Sequence, residues 1–231
     1  MRLSEPFVLF DGNLARTAVG RTCTTLRELV DVVRTASDAT LEHHMMRCAL
    51  DDHFELYESP NDLARWCWDG LGDDALGEQL GLVDPYQYAT LADVRVALVN
   101  VVEERLSQLD RVPSSRPGLE LHLLESRLIS FDTGERFASL AQLAEALPML
   151  SLQSLFLHVH EARRRTAGRT DDFSGWVEQQ VGDPALVATL RAVDFYFLNL
   201  NRLREDFSAI FRHYVLEPQP VVAGARSEAG R

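Results

Sequence analysis

Lysine is absent from this 231-residue chain; all 23 basic residues are arginine. That excludes a Schiff-base lysine, a P-loop lysine and a kinase-type lysine, and a GC-rich genome is the plain cause. Cysteine is scarce. Cys23, Cys48 and Cys67 show no C-x-x-C spacing, so neither a disulfide framework nor a zinc ribbon is expected, and reduced thiols in a cytoplasmic protein are. No run of 18 apolar residues occurs, and no basic segment precedes an apolar one at the start, so neither a membrane span nor a signal peptide is expected. Positive charge is outweighed by 35 acidic residues, for a net charge of −12. That argues against nucleic acid and anionic membranes, which require lysine and arginine to displace counterions. G-x-S-x-G, G-x-G-x-x-G and H-E-x-x-H are all missing, which removes three common catalytic or cofactor signatures.

What is present is a repeat. Phe7, Leu9, Phe10, Gly20, Leu26, Leu29 and His44 recur as Leu121, Leu123, Leu124, Gly134, Leu140, Leu143 and His158, each 114 residues later. The offset then falls to 110, relating Asp62, Trp66, Gly72, Leu76, Asp84 and Tyr86 to Asp172, Trp176, Gly182, Leu186, Asp194 and Tyr196. It ends at 109, relating Leu91, Val94 and Arg95 to Leu200, Leu203 and Arg204. The reading is two copies, 5–110 and 119–216, with a Pro/Ser/Gly linker at 111–118 and a disordered tail at 217–231. Asp132-Thr133-Gly134 resembles an aspartic-protease triplet, but its counterpart is Ala18-Val19-Gly20, so the second aspartate is missing.

Each copy opens with apolar alternation. In the first, Pro6–Phe10, Asp11-Gly12 and Leu14–Thr17 read as a β-hairpin. In the second, 119–124 alternates before a second run at Leu128–Phe131. About five helices follow. Leu26, Leu29, Val30 and Val33 carry the 3.6-residue period, as do Leu140, Leu143, Ala144 and Leu147. Thr24 or Thr25 is placed to cap the first helix, and Asp84-Pro85 stops the fourth. The expected fold is α+β, mainly α, with two tandem repeats packed in pseudo-twofold symmetry.

The segments SDATLEHHMMR, SPNDLARWCWDGLGDDALGEQL and DPYQYATLADVR resemble a family of uncharacterised bacterial proteins, a domain of unknown function. Its pattern is a histidine-bearing helix, Asn-Asp-aromatic-x-x-Trp, Leu-Gly-x-x-x-Leu and a terminal helix opening Leu-x-x-Leu-Arg. His44, Asn61–Asp62, Trp66, Leu71–Gly72 and Leu91–Arg95 fit it. So do His158, Asp172, Phe173, Trp176 and Leu203–Arg204, with departures at Asp171 and at Met46 against His160. The resemblance implies no activity. Family members occur beside sugar-transferring and α-glucan enzymes, which implies an accessory role in carbohydrate metabolism as a third, weaker reading.

His44 and His158 are candidates because both copies carry them. Meeting at the repeat interface, with a carboxylate, they would bind a metal or move protons; the plainer reading is two hydrogen-bonded structural histidines. Asp62 and Asp172 read as paired acids or, more plainly, as helix caps. Trp66 and Trp176 are placed to stack on a ligand or to fill the core. Tyr86 and Tyr196 would line a pocket or brace a turn. Arg95 and Arg204, at the unfavourable end of a helix dipole, call for Asp84 and Asp194 as buried partners or for an anionic ligand. Arg163–Arg165 with Arg169, the one basic cluster, has no equivalent in the first copy; contact with phosphate is one reading, and a solvated helix end is the plainer one. The leading expectation is a non-catalytic cytoplasmic module binding a partner protein or small metabolite. The second is an enzyme or metal protein using His44 and His158. Cofactor and oligomeric state stay open.

Overall fold

The computed structural model describes residues 5–51 and 59–216. Two 17-residue strands, β1 (Phe7–Cys23) and β2 (Leu121–Phe137), form one antiparallel ribbon running from Phe7↔Phe137 to Cys23↔Leu121. The hairpin expected inside each half does not form; Asp11 and Gly12 lie within β1, opposite Phe131 and Ser130. The reason is packing. Asp11 Oδ1 accepts from Ser151 Oγ at 2.7 Å. A side chain at Gly12 would meet Leu157 Cδ1 at 3.1 Å and Leu128 Cδ1 at 3.2 Å. Asp-Gly here serves close approach and not a turn. The ribbon's irregularities lie between Val8 and Phe10 and between Ala18 and Thr22. At each, the longer strand passes through a left-handed glycine, Gly134 (φ 84°) or Gly20 (φ 75°), as a bulge requires.

The first helical layer contains α1 (Leu26–Thr35), α2 (Asp38–Met45), α3 (Asp62–Trp66), α4 (Asp74–Gly81) and α5 (Leu91–Ser107). The second contains α6 (Leu140–Ala146), α7 (Leu152–Phe156), α8 (Ala162–Arg165), α9 (Asp172–Gln180), α10 (Pro184–Arg191) and α11 (Leu200–Leu216). A π-helical turn, Leu157–Glu161, joins α7 to α8. Thr25 caps α1 in a capping box with Glu28, and Thr90 caps α5 in one with Asp93. Among the described residues no helix is long and apolar enough to cross a membrane. The linker is docked: Ser115 N–H donates to Thr24 O at 2.7 Å and Arg116 N–H to Gly70 O at 2.9 Å. The expected tail, 217–231, lies outside the described residues.

Each layer encloses its own core, but the strand ends are exchanged. Leu121 and Leu123, at the start of β2, are buried with Leu26, Leu29, Leu76, Leu80 and Leu98 of the first layer. Phe7 and Leu9, at the start of β1, are buried with Leu143, Leu147, Phe173 and Phe207 of the second. Phe7 stacks on Phe173 with ring centroids 5.0 Å apart. Phe7→Ala is expected to cost about 3–5 kcal/mol in a single urea transition, because the residue fixes one half's strand in the other half's core. A loss below about 1 kcal/mol would mean that the second core closes without it.

Candidate functional site

His44 lies on α2. Its Nδ1 is 2.9 Å from Asp62 Oδ2, and its Nε2 accepts the Leu124 N–H of β2 at 3.1 Å. His158, on the π turn, repeats this. Its Nδ1 is 2.7 Å from Asp172 Oδ2, and its Nε2 accepts the Phe10 N–H of β1 at 3.0 Å. An Nε2 that accepts carries no proton, so Nδ1–H donates to the carboxylate; these partners assign the tautomer. Both ring nitrogens of both histidines are therefore spent. The accepted N–H groups sit beside the ribbon's two irregularities, where the facing strand leaves a donor unmatched.

The structure does not bring His44 and His158 together. Phe10 and Ala18, the partner of Leu124, are eight residues apart on β1, on the order of 26 Å along a strand. His43, His44 and Asp62 do place ligand atoms within 4.8 Å of one another, but a metal there would have to displace the bond to Asp62 or the one to Leu124. Asp62 and Asp172 are not the caps. Asn61 and Asp171 are, accepting from Ala64 N–H and Ser174 N–H at 2.9 and 2.7 Å, and each aspartate opens its helix facing a histidine.

The other candidates divide similarly. Trp66 Nε1–H donates to Leu119 O and Trp176 Nε1–H to Glu5 O, both at 2.9 Å; these rings fasten strand entries. Arg95 does not reach Asp84; it bonds Val33 O at the end of α1 and Asp38 Oδ1 at 2.9 Å. Arg204 donates to Leu150 O and Asn201 Oδ1, each at 2.8 Å, in place of Asp194. Tyr196 OH donates to Val83 O at 3.1 Å and accepts from Asn61 Nδ2 at 3.0 Å. Tyr86 OH meets His160 Nδ1 at 3.1 Å, and burial pushes its phenol well above the ordinary value.

Tyr86 borders a cleft of about 450 Å³, closed by the 85–91 segment on one side and by Arg163, Arg164, Arg169 and Phe195 on the other. The sequence points to Tyr86 and to the arginine cluster, but not to Phe195 or to their meeting in one cleft. Arg163 is no solvated helix end. Its guanidinium lies 4.1 Å over the Phe195 ring and 2.9 Å from Asp171 Oδ2, and burial pulls its pKa down. Arg169 crosses the cleft and donates to Tyr86 O at 2.6 Å and Tyr88 O at 2.8 Å. Beneath it, His160 stacks on Phe156, and burial holds its pKa at about 3. The sequence signal was that the basic cluster occurs in one half alone. His43, buried with Nδ1 3.2 Å from Ser126 Oγ and Nε2 4.0 Å from Asp51, lies apart from this cleft lining. Burial, then the neighbouring His44, holds His43 at about 4, and burial lifts Asp51 to about 6.

The model of the Family of unknown function (DUF5752) matches residues 4–212, and the chain belongs to that family. No curated protein matches it. Among solved structures it is similar to OrfY from Thermoproteus tenax, at a TM-score of 0.73 and 24% identity over 92% of this chain and 97% of that one. At that identity the likeness is one of fold.

Two outcomes follow from this geometry. Asp62 has 5% of its side chain exposed and Asp172 24%. His44→Ala therefore leaves the less hydrated carboxylate with Arg65 alone, at 2.5 Å, and the Leu124 N–H without its acceptor, and is expected to cost about 3 kcal/mol or more. His158→Ala is expected to cost nearer 1–3 kcal/mol; urea unfolding with the order reversed would refute the burial argument. The second outcome concerns pH. Unfolded histidines take up protons near 6.5, whereas folded His43 and His160 wait until about 4 and about 3. Between those values the unfolded state binds more protons, so stability is lost as pH falls below 6.5. Asp51, raised from 3.8 to about 6, opposes this between those two values. His43→Leu is expected to flatten the pH dependence of the thermal midpoint between 6.5 and 4 by one proton, about 1.4 kcal/mol per pH unit. An unchanged slope would remove His43 as a linked group.

Proposed function

We propose that this member of the family is a non-catalytic binding module for a small metabolite. In this reading it is built from two copies of one unit around a pseudo-twofold axis, with its site in the cleft between Tyr86 and Arg169. Arithmetic along the ribbon supports the duplication. Adding 114 to Leu14 gives Leu128, its own pairing partner, and the same operation turns Phe7↔Phe137 into Leu121↔Cys23. It also turns the His44–Leu124 bond into His158–Phe10. An axis through the Leu14–Leu128 pair accounts for all three.

The observation that carries the site is where the proposed copies differ. Met46, Ala49 and Leu50 stand at the positions of His160, Arg163 and Arg164, and Asn61 at that of Asp171. The second-copy residues gather at one place: Arg163 and Arg164 line the cleft, His160 holds Tyr86, and Asp171 holds Arg163. Four of the duplicated residues are instead spent on the frame. His44, His158, Trp66 and Trp176 all bind backbone of the opposite strand or its entry. A histidine–aspartate pair whose Nε2 meets a backbone N–H has no nucleophile to activate, which supports a non-catalytic reading. A concave cleft of about 450 Å³ falls in the small-molecule range of about 300–1,000 Å³, which favours a metabolite over a protein partner. Three buried free thiols support a cytoplasmic setting.

Ala167 is an exposed residue on the cleft wall, so Ala167→Trp fills the cleft without touching either core. A thermal-shift screen of small metabolites is expected to find ligands that raise the midpoint of the native chain and leave the variant unmoved. Ligands that stabilise both equally would place the function elsewhere.

A further inference from the structure

We infer that the molecule taken up by this cleft carries an oxyanion group, phosphoryl or carboxylate, received by Arg169 and Arg163. This rests on the cleft being the binding site. The charges around it are unevenly matched. Arg163 faces Asp171. Arg164 and Arg47 share Glu42 and Glu161. Arg169 bonds two carbonyl oxygens, of Tyr86 and Tyr88, and among the described residues no carboxylate pairs with it. Asp84, the acid next to the 85–91 wall, is turned back onto Tyr86 N–H at 2.9 Å and Gln87 Nε2 at 3.2 Å. One full positive charge thus stands on the cleft wall of a chain whose net charge is −12.

Two further features point the same way. The Nε–H of Arg163 is buried and finds no acceptor among the described residues, so a donor is left over beside the cleft. Arg169 is the one non-glycine among the described residues with a positive φ, 50°. A hydroxyl loop holds it in that left-handed conformation, with Thr166 Oγ1 bonded to Thr170 O and accepting from Thr170 N–H, both at 3.0 Å. A residue held in a disfavoured backbone region at a cleft wall marks a constraint that the fold maintains. Guanidinium groups offer paired N–H donors that match phosphoryl and carboxylate oxygens, and they keep their charge at every physiological pH. A cleft of this volume holds more than a bare ion, so the oxyanion is one group of a larger small molecule.

Isothermal titration of the full chain with pyrophosphate and with citrate, at low ionic strength, tests this. At least one is expected to bind, more weakly as sodium chloride screens the charge. Pyrophosphate alone identifies a phosphoryl group, citrate alone a carboxylate. Arg169→Gln and Ala167→Glu are each expected to weaken binding at least about tenfold. Ala167→Glu touches none of the Arg169 tethers, so its result stands even if Arg169→Gln loosens the 85–91 wall. Failure of both anions to bind at about 10 mM would overturn the inference, as would equal binding to the native chain and to Ala167→Glu. Uncharged ligands that Ala167→Trp blocks and Ala167→Glu does not would leave the cleft as the binding site and overturn the oxyanion. If no ligand distinguishes Ala167→Trp from the native chain, the cleft itself is not the site.

Discussion

The structure depends on one exchange: the start of each long strand is buried in the core of the opposite half. A two-stranded ribbon is marginal by itself, and the second half of each strand here, 15–22 and 129–136, is exposed. Its ends hold it. Phe7 and Leu9 enter the second core and Leu121 and Leu123 the first, so neither core closes with its own half's residues alone. Unfolding one half withdraws apolar side chains from the other, which couples the two layers across a ribbon that itself contributes little burial.

The histidines and tryptophans follow from that exchange. A strand entering a foreign core brings backbone donors and acceptors that the facing strand, interrupted by a bulge, does not match. His44 and His158 satisfy the donors, and Trp66 and Trp176 take the acceptors at the entries. Each imidazole is in turn fixed by a carboxylate at the first residue of a short helix. Buried pairs of this kind add little net stability against apolar alternatives, and each carboxylate is held from its other side by an arginine, Arg65 on Asp62 and Arg165 on Asp172. They define which backbone group docks where. The cleft stands in contrast. Its walls come from both halves, the 85–91 segment from one and residues 163–169 from the other.

Much of this was legible in advance. The helical stripes of α1 and α6, the Thr25 cap and the stop before Asp84-Pro85 are local signals, and the structure has these elements where the period places them. The family resemblance holds as well. The misread parts share one cause. Asp11-Gly12 is a good turn dipeptide, but the partner of β1 lies more than a hundred residues away, and the tight contact with Leu157 is invisible in sequence. Arg95 was matched to Asp84 because they are near in sequence, whereas helix packing delivered Asp38. Three consecutive arginines ordinarily mark a solvated helix end, and nothing local reveals that Phe195 lies beneath Arg163.

By itself the sequence determined helical periods, the Thr25 cap and the breaks, because each depends on backbone geometry within a few residues. It also excluded lysine chemistry, a disulfide framework and the common catalytic signatures. Only the tertiary structure decided that His44 and His158 stand far apart, that both are occupied by backbone, and that residues of the second half converge on a cleft with the first. Those outcomes depend on which distant surfaces meet, and that is set by the exchange of the strand ends between the two cores.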